Sequence, residues 1–132
     1  MKREDWRPRL RAYLARPDAG FSWGDRDCGG FAGGAVEAMT GTNPHALVAG
    51  RYKTMKGALR ALQRKGFADH IAYAASLLDE IDPMFATWGD IAVVQGDPGL
   101  ALGVVTGAQI EVRTPQGRGV VPLTEAVRAF RA

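Results

Sequence analysis

The side chain best suited to covalent chemistry is Cys28, the single cysteine of this 132-residue chain. It follows a turn-rich segment that contains Ser22, Gly24 and Asp27, and it precedes a run with helical spacing. A thiol in the first turn of a helix lies near unsatisfied backbone N–H groups and the positive end of the helix dipole. Both favour the thiolate, so we expect a lowered pKa and a reactive sulfur. The position also suits a cysteine retained from a lost active site, or a small core residue.

A cysteine nucleophile needs a base, and the chain has two histidines. His45 lies in the loop after the Cys28 helix and could fold back toward the thiol, although the far end of that helix is nearer in sequence. His70 follows Asp69 at a predicted helix start, where we expect it to be exposed. One cysteine and two separated histidines lack the spacing of a zinc site, so we expect no metal and no cofactor.

The run that begins at Cys28 predicts a helix with an apolar face and a glycine face. Either Asp25 or Asp27 can cap its N-terminus, and Gly41 ends it. Glycines cost a helix about 0.5–1 kcal/mol each relative to alanine, so another segment should pack close to them. The glycines are Gly29, Gly30, Gly33 and Gly34, and the apolar residues are Cys28, Phe31, Ala32, Ala35, Val36 and Met39.

The remaining pattern places helices first and antiparallel strands after them, which is an α+β plan. Further helices are predicted over residues 4–16 and 54–65 and after Asp69, and a last helix over Thr124 to Arg131. The carboxylates Asp79, Glu80 and Asp82 are interpreted as solvated at a helix end. Short strands rich in Val and Ile are predicted over residues 91–95, 100–106, 109–113 and 119–123.

Composition indicates one domain, residues 1–132, with 46% apolar residues and a net charge of +3. The cationic residues near the N-terminus could meet an acidic partner or surface, or could form a solvated helix face. No basic patch interleaved with aromatic residues indicates nucleic-acid binding. These cationic residues are Lys2, Arg3, Arg7, Arg9, Arg11 and Arg16.

No apolar run is long enough to span a membrane, and the first residues lack the apolar core of a signal peptide. We therefore expect synthesis and folding in a bacterial cytoplasm.

Three blocks of sequence resemble NlpC-type cell-wall cysteine peptidases, which have a papain-like fold. FSWGDRDCGGF at residues 21–31 resembles the nucleophile motif, in which an aromatic-x-Trp-Gly segment leads to Asp-Cys-Ser-Gly. GDIAVV at 89–94 resembles the Gly-Asp-Leu strand, and ALGVVTG at 101–107 resembles the His-Val-Gly-Ile-x-x-Gly strand. With Arg51 and Tyr52, the chain looks most like the short variant encoded among phage and prophage tail genes.

The resemblance implies a single papain-like, NlpC-type domain with N-terminal helices, a small antiparallel sheet and a C-terminal helix. Cys28 is then the candidate nucleophile, and Trp23, Asp27 and Trp88 line a substrate groove. On a purely structural interpretation Asp27 is a helix cap and the two tryptophans are core residues. The catalytic histidine of the family falls at Ala101, so the usual base is missing.

Three functions follow as hypotheses. The first is a virion component at a phage tail tip or baseplate, contacting other tail proteins, with a structural or assembly role and degenerate catalysis. The second is an active endopeptidase or amidase that cleaves peptidoglycan with Cys28 and an unusual base, for which His45 is a weak candidate. The third is a small cytoplasmic binding module.

Overall fold

Four α-helices lead into a six-stranded sheet in the computed structural model, which describes residues 2–17, 20–23, 27–47, 50, 52–96 and 99–132. The α+β class is confirmed. Within these ranges the helices are α1 (Trp6–Leu14), α2 (Cys28–Thr40), α3 (Met55–Arg64) and α4 (His70–Leu77). The strands are β1 (Asp79–Ile81), β2 (Ile91–Gln95), β3 (Leu100–Val105), β4 (Gln109–Thr114), β5 (Gly117–Pro122) and β6 (Arg128–Arg131). Short 3-10 helices span Pro44–Leu47, Pro83–Phe85 and Leu123–Glu125.

The helices begin where the sequence signals place them. Asp27, Thr54 and Asp69 are the N-caps of α2, α3 and α4, and each side chain accepts a hydrogen bond from the backbone N–H three residues further on. Gly41 ends α2 with a φ of 89°, a left-handed conformation that favours glycine. Gly24, the alternative cap Asp25, and Arg51 lie outside the described residues.

The strands form one antiparallel sheet in the order β1-β6-β2-β3-β4-β5. Strands β2 to β5 follow one another as a meander because short turns connect them. The C-terminal strand β6 breaks this order, since it inserts between β1 and β2 and pairs with both. Helix α2 packs against β3 and β4.

Successive side chains along each strand point to opposite faces of the sheet, so that an apolar cluster lies on each face. One contains the buried side of α2 and the strand residues that face it, among them Leu102, Val104 and Phe130. The other lies on the opposite face of the sheet around Val105 and Ile110, where the 3-10 segments help to cover it.

The predicted C-terminal helix is wrong. Residues Leu123–Glu125 form a 3-10 turn, and the chain then continues as β6. The spacing of Ala126, Val127 and Phe130 does suit a helix, but Phe130 is instead fully buried between the neighbouring strands, opposite Ile91 and Glu80. Pairing with two strands distant in sequence outweighs a short local periodicity.

The acidic segment after α4 is exposed, as expected, but it forms a strand and a turn rather than the end of a helix. Asp79 and Glu80 belong to β1, and Asp82 caps the next 3-10 turn by accepting a hydrogen bond from the Met84 backbone N–H. Glu80 accepts two hydrogen bonds from Arg128 of the adjacent strand, at 2.8 and 3.0 Å. A cross-strand ion pair therefore accounts for Glu80, and capping of the 3-10 turn accounts for Asp82.

The prediction that another segment packs against the glycines of α2 is confirmed, and two segments do so. A Cβ at Gly34 would overlap the phenol of Tyr13 from α1, whose Cε1 would be 2.7 Å away. A Cβ at Gly33 would lie 2.6 Å from both Asn43 Oδ1 and His45 Cβ. Only glycine permits both approaches, because protein interiors leave no space for an added methyl group.

We expect Gly34→Ala to lower the free energy of unfolding by about 1 kcal/mol. Alanine gains up to about 1 kcal/mol of helix propensity, but overpacking against Tyr13 costs about 1–3 kcal/mol. Urea unfolding measures the difference. In a Tyr13→Ala background the same change should become stabilising, and a destabilisation of equal size there would show that Tyr13 is not the constraint.

Candidate functional site

Cys28 is the first residue of α2, as predicted, and Asp27 holds the start of this helix in place. Asp27 is 2% exposed, and its Oδ1 accepts a hydrogen bond of 2.8 Å from the backbone N–H of Gly30. The cap is thus buried beneath the thiol rather than solvated.

The Cys28 thiol opens to a cavity of about 680 Å³, which we call the Cys28 cavity. Its walls come from α2, α3, α4 and the start of β3, and they are mostly aliphatic and aromatic. A small polar group lies among them, formed by Asp27, His45 and Tyr52. A pocket with apolar walls and few polar groups is the usual form of a ligand or substrate site.

The expected lowering of the Cys28 pKa is not found. Burial raises the pKa of the Cys28 thiol and is the largest effect, while a hydrogen bond with the backbone of Leu102 acts in the opposite direction. The negative charge of Asp27 adds to the increase. The thiol is therefore neutral near pH 7, because desolvation of the thiolate outweighs the helix dipole here.

Strand β3 presents aliphatic residues to the cavity. Leu102 faces α2 and belongs to its core cluster, whereas Ala101 points toward the cluster on the other face of the sheet, although both line the cavity. The β3 residue that faces the Cys28 helix is thus Leu102, one position along from Ala101. Neither side chain can accept a proton.

His45 does reach the N-terminal part of α2. The 3-10 turn Pro44–Leu47 runs back along this helix, so that His45 is 8% exposed and its Nε2 lies 3.8 Å from Asp27 Oδ1. A Cβ on Gly29 would be 3.2 Å from His45 Nδ1. In sequence, His45 is nearer to the C-terminal end of α2, and this proximity was misleading. The i, i+4 spacing of Gly29 and Gly33, which places both glycines on one face of the helix, was the available signal for the close approach of His45.

Tyr52 is a member of the site that the sequence did not identify as one. Its hydroxyl donates a 2.5 Å hydrogen bond to Asp27 Oδ2. Burial raises the Tyr52 pKa far above its ordinary value, and the hydrogen bond to Asp27 adds to the increase. Tyr52 therefore acts as a neutral donor that satisfies the second oxygen of the buried carboxylate.

The two predicted groove tryptophans have different positions. Trp23 lines the Cys28 cavity and contacts the ring of Phe21 edge-on, with centroids 4.9 Å apart. Trp88 instead packs on the main core cluster, beside Gly107 and under the guanidinium of Arg11. Trp88 is not among the described residues that line the Cys28 cavity, so the structure does not place it in this groove.

His70 lies at the cavity wall, where its Nε2 is 2.8 Å from the carbonyl oxygen of Leu100. Asp90, which follows Gly89 in the second resemblance block, is fully buried, and its Oδ2 accepts a hydrogen bond from the Thr87 N–H. Asp90 therefore shapes the turn into β2, away from the thiol.

The described ranges also bear on metal binding and on membrane insertion. There, no group of three or more His, Cys, Asp or Glu side chains is arranged to hold a metal ion. Among the same residues, no helix has the length and apolar character needed to cross a membrane.

The chain matches the model of a known family. The family model described as "Domain of unknown function (DUF6950)" matches residues 1–132. No curated protein and no solved structure matches the chain.

We expect Tyr52→Phe to reduce the free energy of unfolding by about 2 kcal/mol, because it removes a donor from a buried carboxylate. Tyr73→Phe is the matched control, since Tyr73 donates to an uncharged acceptor, the Pro44 carbonyl oxygen, at 2.6 Å. Removing this hydrogen bond should lower the free energy of unfolding by about 1 kcal/mol. Chemical denaturation measures both, and a larger loss for Tyr73→Phe would contradict the central role of Asp27.

Proposed function

We propose that this chain, which belongs to the DUF6950 family, is a structural or assembly component of a phage or prophage tail tip or baseplate. We propose a papain-like, NlpC-type domain in which peptide hydrolysis is degenerate. The observation that carries the loss of hydrolysis is the aliphatic surface of β3 beside Cys28, formed by Leu102 and Ala101.

The layout of the thiol supports the fold assignment. Cys28 begins a helix that packs on antiparallel strands, with a cavity between the helix N-terminus and the start of β3. A cysteine hydrolase of the papain type needs this arrangement, since the strand then supplies the base. The order of the three sequence blocks supports the same assignment, and their likeness to the short tail-gene variant supports the tail location.

The chemistry of the thiol supports degenerate catalysis. Hydrolysis needs a group that takes the Cys28 proton and later protonates the leaving amine. Leu102 and Ala101 can do neither, and burial raises the pKa of the Cys28 thiol rather than lowering it. Losing the base of a catalytic unit costs several orders of magnitude in rate.

Peptidoglycan cleavage is the second candidate function, and the position of His45 favours it. In that case His45 accepts the Cys28 proton and the thiolate attacks the carbonyl carbon of a wall peptide. The leaving amine takes the proton from the imidazolium, and water then hydrolyses the thioester. Asp27, 3.8 Å from His45 Nε2, would stabilise the imidazolium during the first step.

Alkylation of Cys28 across the pH range distinguishes the two functions. Under the proposed function the rate with iodoacetamide is low at pH 7 and rises only above the ordinary thiol pKa of about 8.5, because the neutral thiol does not react. His45→Gln should leave this profile unchanged. Mass spectrometry of the modified protein gives the rate.

A rate plateau below pH 7 that disappears in His45→Gln would instead establish a thiolate–imidazolium pair and support hydrolysis. Cys28→Ala is the control for alkylation at other side chains, since the chain has no second thiol.

Cys28→Ala should leave folding and particle assembly intact, because the proposed role does not use the thiol chemically. The measurement is the yield of complete tails from the encoding strain, together with digestion of purified peptidoglycan. Gly34→Ala serves as a variant that perturbs the fold without touching the thiol. Normal assembly with lost digestion in Cys28→Ala would support the peptidase, and absence of the wild-type chain from purified particles would contradict the tail assignment.

A further inference from the structure

A second concave surface lies on a different face of α2. We propose that it binds an extended acidic segment of a partner protein. We call it the arginine cleft and define it by Arg3, Arg9, Arg16 and Arg118. It goes beyond the function proposed above, because it involves neither the thiol nor a tail location.

The shape of the arginine cleft follows from the glycines of α2. The cleft has a volume of about 870 Å³ and lies between α1 and the segment that contains Asn43 and His45. Gly30, Gly34 and Gly41 belong to its lining, so part of its floor is helix backbone. The approach of Tyr13 to Gly34 sets the distance of α1 from this floor. The result is a concave surface at which a partner segment can approach the backbone of α2.

The charge of the cleft is positive. Among the described lining residues there are five arginines, the four that define the cleft and the buried Arg113, against one carboxylate, that of Glu37. Two further carboxylates beside the cleft, Asp5 and Glu111, pair with Arg9 and Arg118. Arginine can form two parallel hydrogen bonds with a carboxylate, so the exposed arginines of the cleft favour a segment with repeated acidic side chains.

Two of the arginines are held in position before any partner binds. Arg118 donates to the carbonyl oxygens of Leu14 and Arg16, at 2.7 and 2.9 Å, and lies 3.3 Å from Glu111. The Arg16 guanidinium lies over the ring of Tyr13, 5.5 Å from its centroid. Side chains ordered in advance lose less entropy on binding, which favours affinity at this site.

The rim offers cations that a partner can reach. Arg3, Arg9 and Arg16 are exposed. Arg9 contacts Asp5 at 2.8 Å, but both side chains are about half exposed, and such pairs exchange readily because they are worth little in water. A carboxylate of the partner can therefore replace Asp5.

The aromatic rings of the cleft favour an acidic peptide over single-stranded nucleic acid. Strand binding without base pairing depends on bases that stack on open aromatic faces. Here Arg16 covers Tyr13 and Arg118 covers Phe31, with its guanidinium 5.3 Å from the ring centroid. Carboxylates on a flexible chain meet the same cations without these restrictions.

Fluorescence anisotropy with a labelled peptide of alternating glutamate and alanine tests the site. Wild-type protein should bind this peptide and not the glutamine–alanine peptide. The double variant Arg9→Gln/Arg16→Gln should bind about tenfold more weakly. Raising the ionic strength from about 0.05 M to about 0.5 M should weaken wild-type binding markedly, because exposed charges are screened.

Arg60→Gln/Arg64→Gln is the matched control. Both residues are exposed on α3, outside the cleft, and the change in net charge is the same. This control should keep wild-type affinity, and Arg3→Gln, at the edge of the cleft beside Gly41, should weaken binding independently. Thermal unfolding checks that each variant is folded.

Three outcomes would overturn the proposal. An equal loss of peptide affinity in the cleft variant and in the control variant would show that binding is a general effect of net charge. Tighter binding of oligothymidylate, with displacement of the peptide, would make nucleic acid the occupant. Absence of binding by the wild-type protein would remove the site.

Discussion

The close approach of two segments to the backbone of α2 is the constraint on which the rest of the structure depends. Gly34 admits the phenol of Tyr13, and Gly29 with Gly33 admits the turn that carries His45. Two tight contacts on one thirteen-residue helix fix three elements relative to each other and place α1 and the Pro44–Leu47 turn on either side. These contacts come at the expense of helix propensity, because each glycine in a helix interior is about 1 kcal/mol less favourable than alanine. The Pro44–Leu47 turn contributes to the wall of the Cys28 cavity, and α1 contributes to the wall of the arginine cleft.

Desolvation then decides the electrostatic character of the site. Asp27 is buried and keeps its place because the backbone of Gly30 and the hydroxyl of Tyr52 satisfy its two oxygens. Burial raises the pKa of the nearby thiol and outweighs the hydrogen bonds with the backbone of Leu102, Gly29 and Cys28 itself, which lower it. A helix N-terminus is worth about 0.3–1 kcal/mol to an exposed charge, which is less than the cost of burying an anion in an apolar wall. The start of α2 therefore satisfies the buried side chain of Asp27, whereas burial is the dominant effect on the pKa of the thiol.

Local signals in the sequence predicted the fold well where local chemistry decides it. The caps Asp27, Thr54 and Asp69 begin their helices, and the strands of the β2–β5 meander lie close to the predicted residues. The prediction failed for β1 and β6, because their pairing joins residues about fifty positions apart and no short window contains that information. The predicted groove position of Trp88 and the predicted lowering of the Cys28 pKa failed for the same reason. Both depend on which segments, distant in sequence, pack against these residues. The glycine pattern was the exception, a local feature that correctly indicated a tertiary contact.

A catalytic site and a binding domain place different requirements on the surroundings of α2. Catalysis at Cys28 requires a base within reach, and β3 supplies Leu102 in the direction of the helix. Packing has no such requirement, because a neutral thiol is a small apolar group that suits a core next to Leu102. The surfaces that can hold a partner depend on the glycine contacts and on charges outside the cavity, among them Arg16 and Arg118. The packing of α2 on the sheet and the charges of the arginine cleft thus do not depend on a base beside Cys28, and the assembly role proposed above requires only these features.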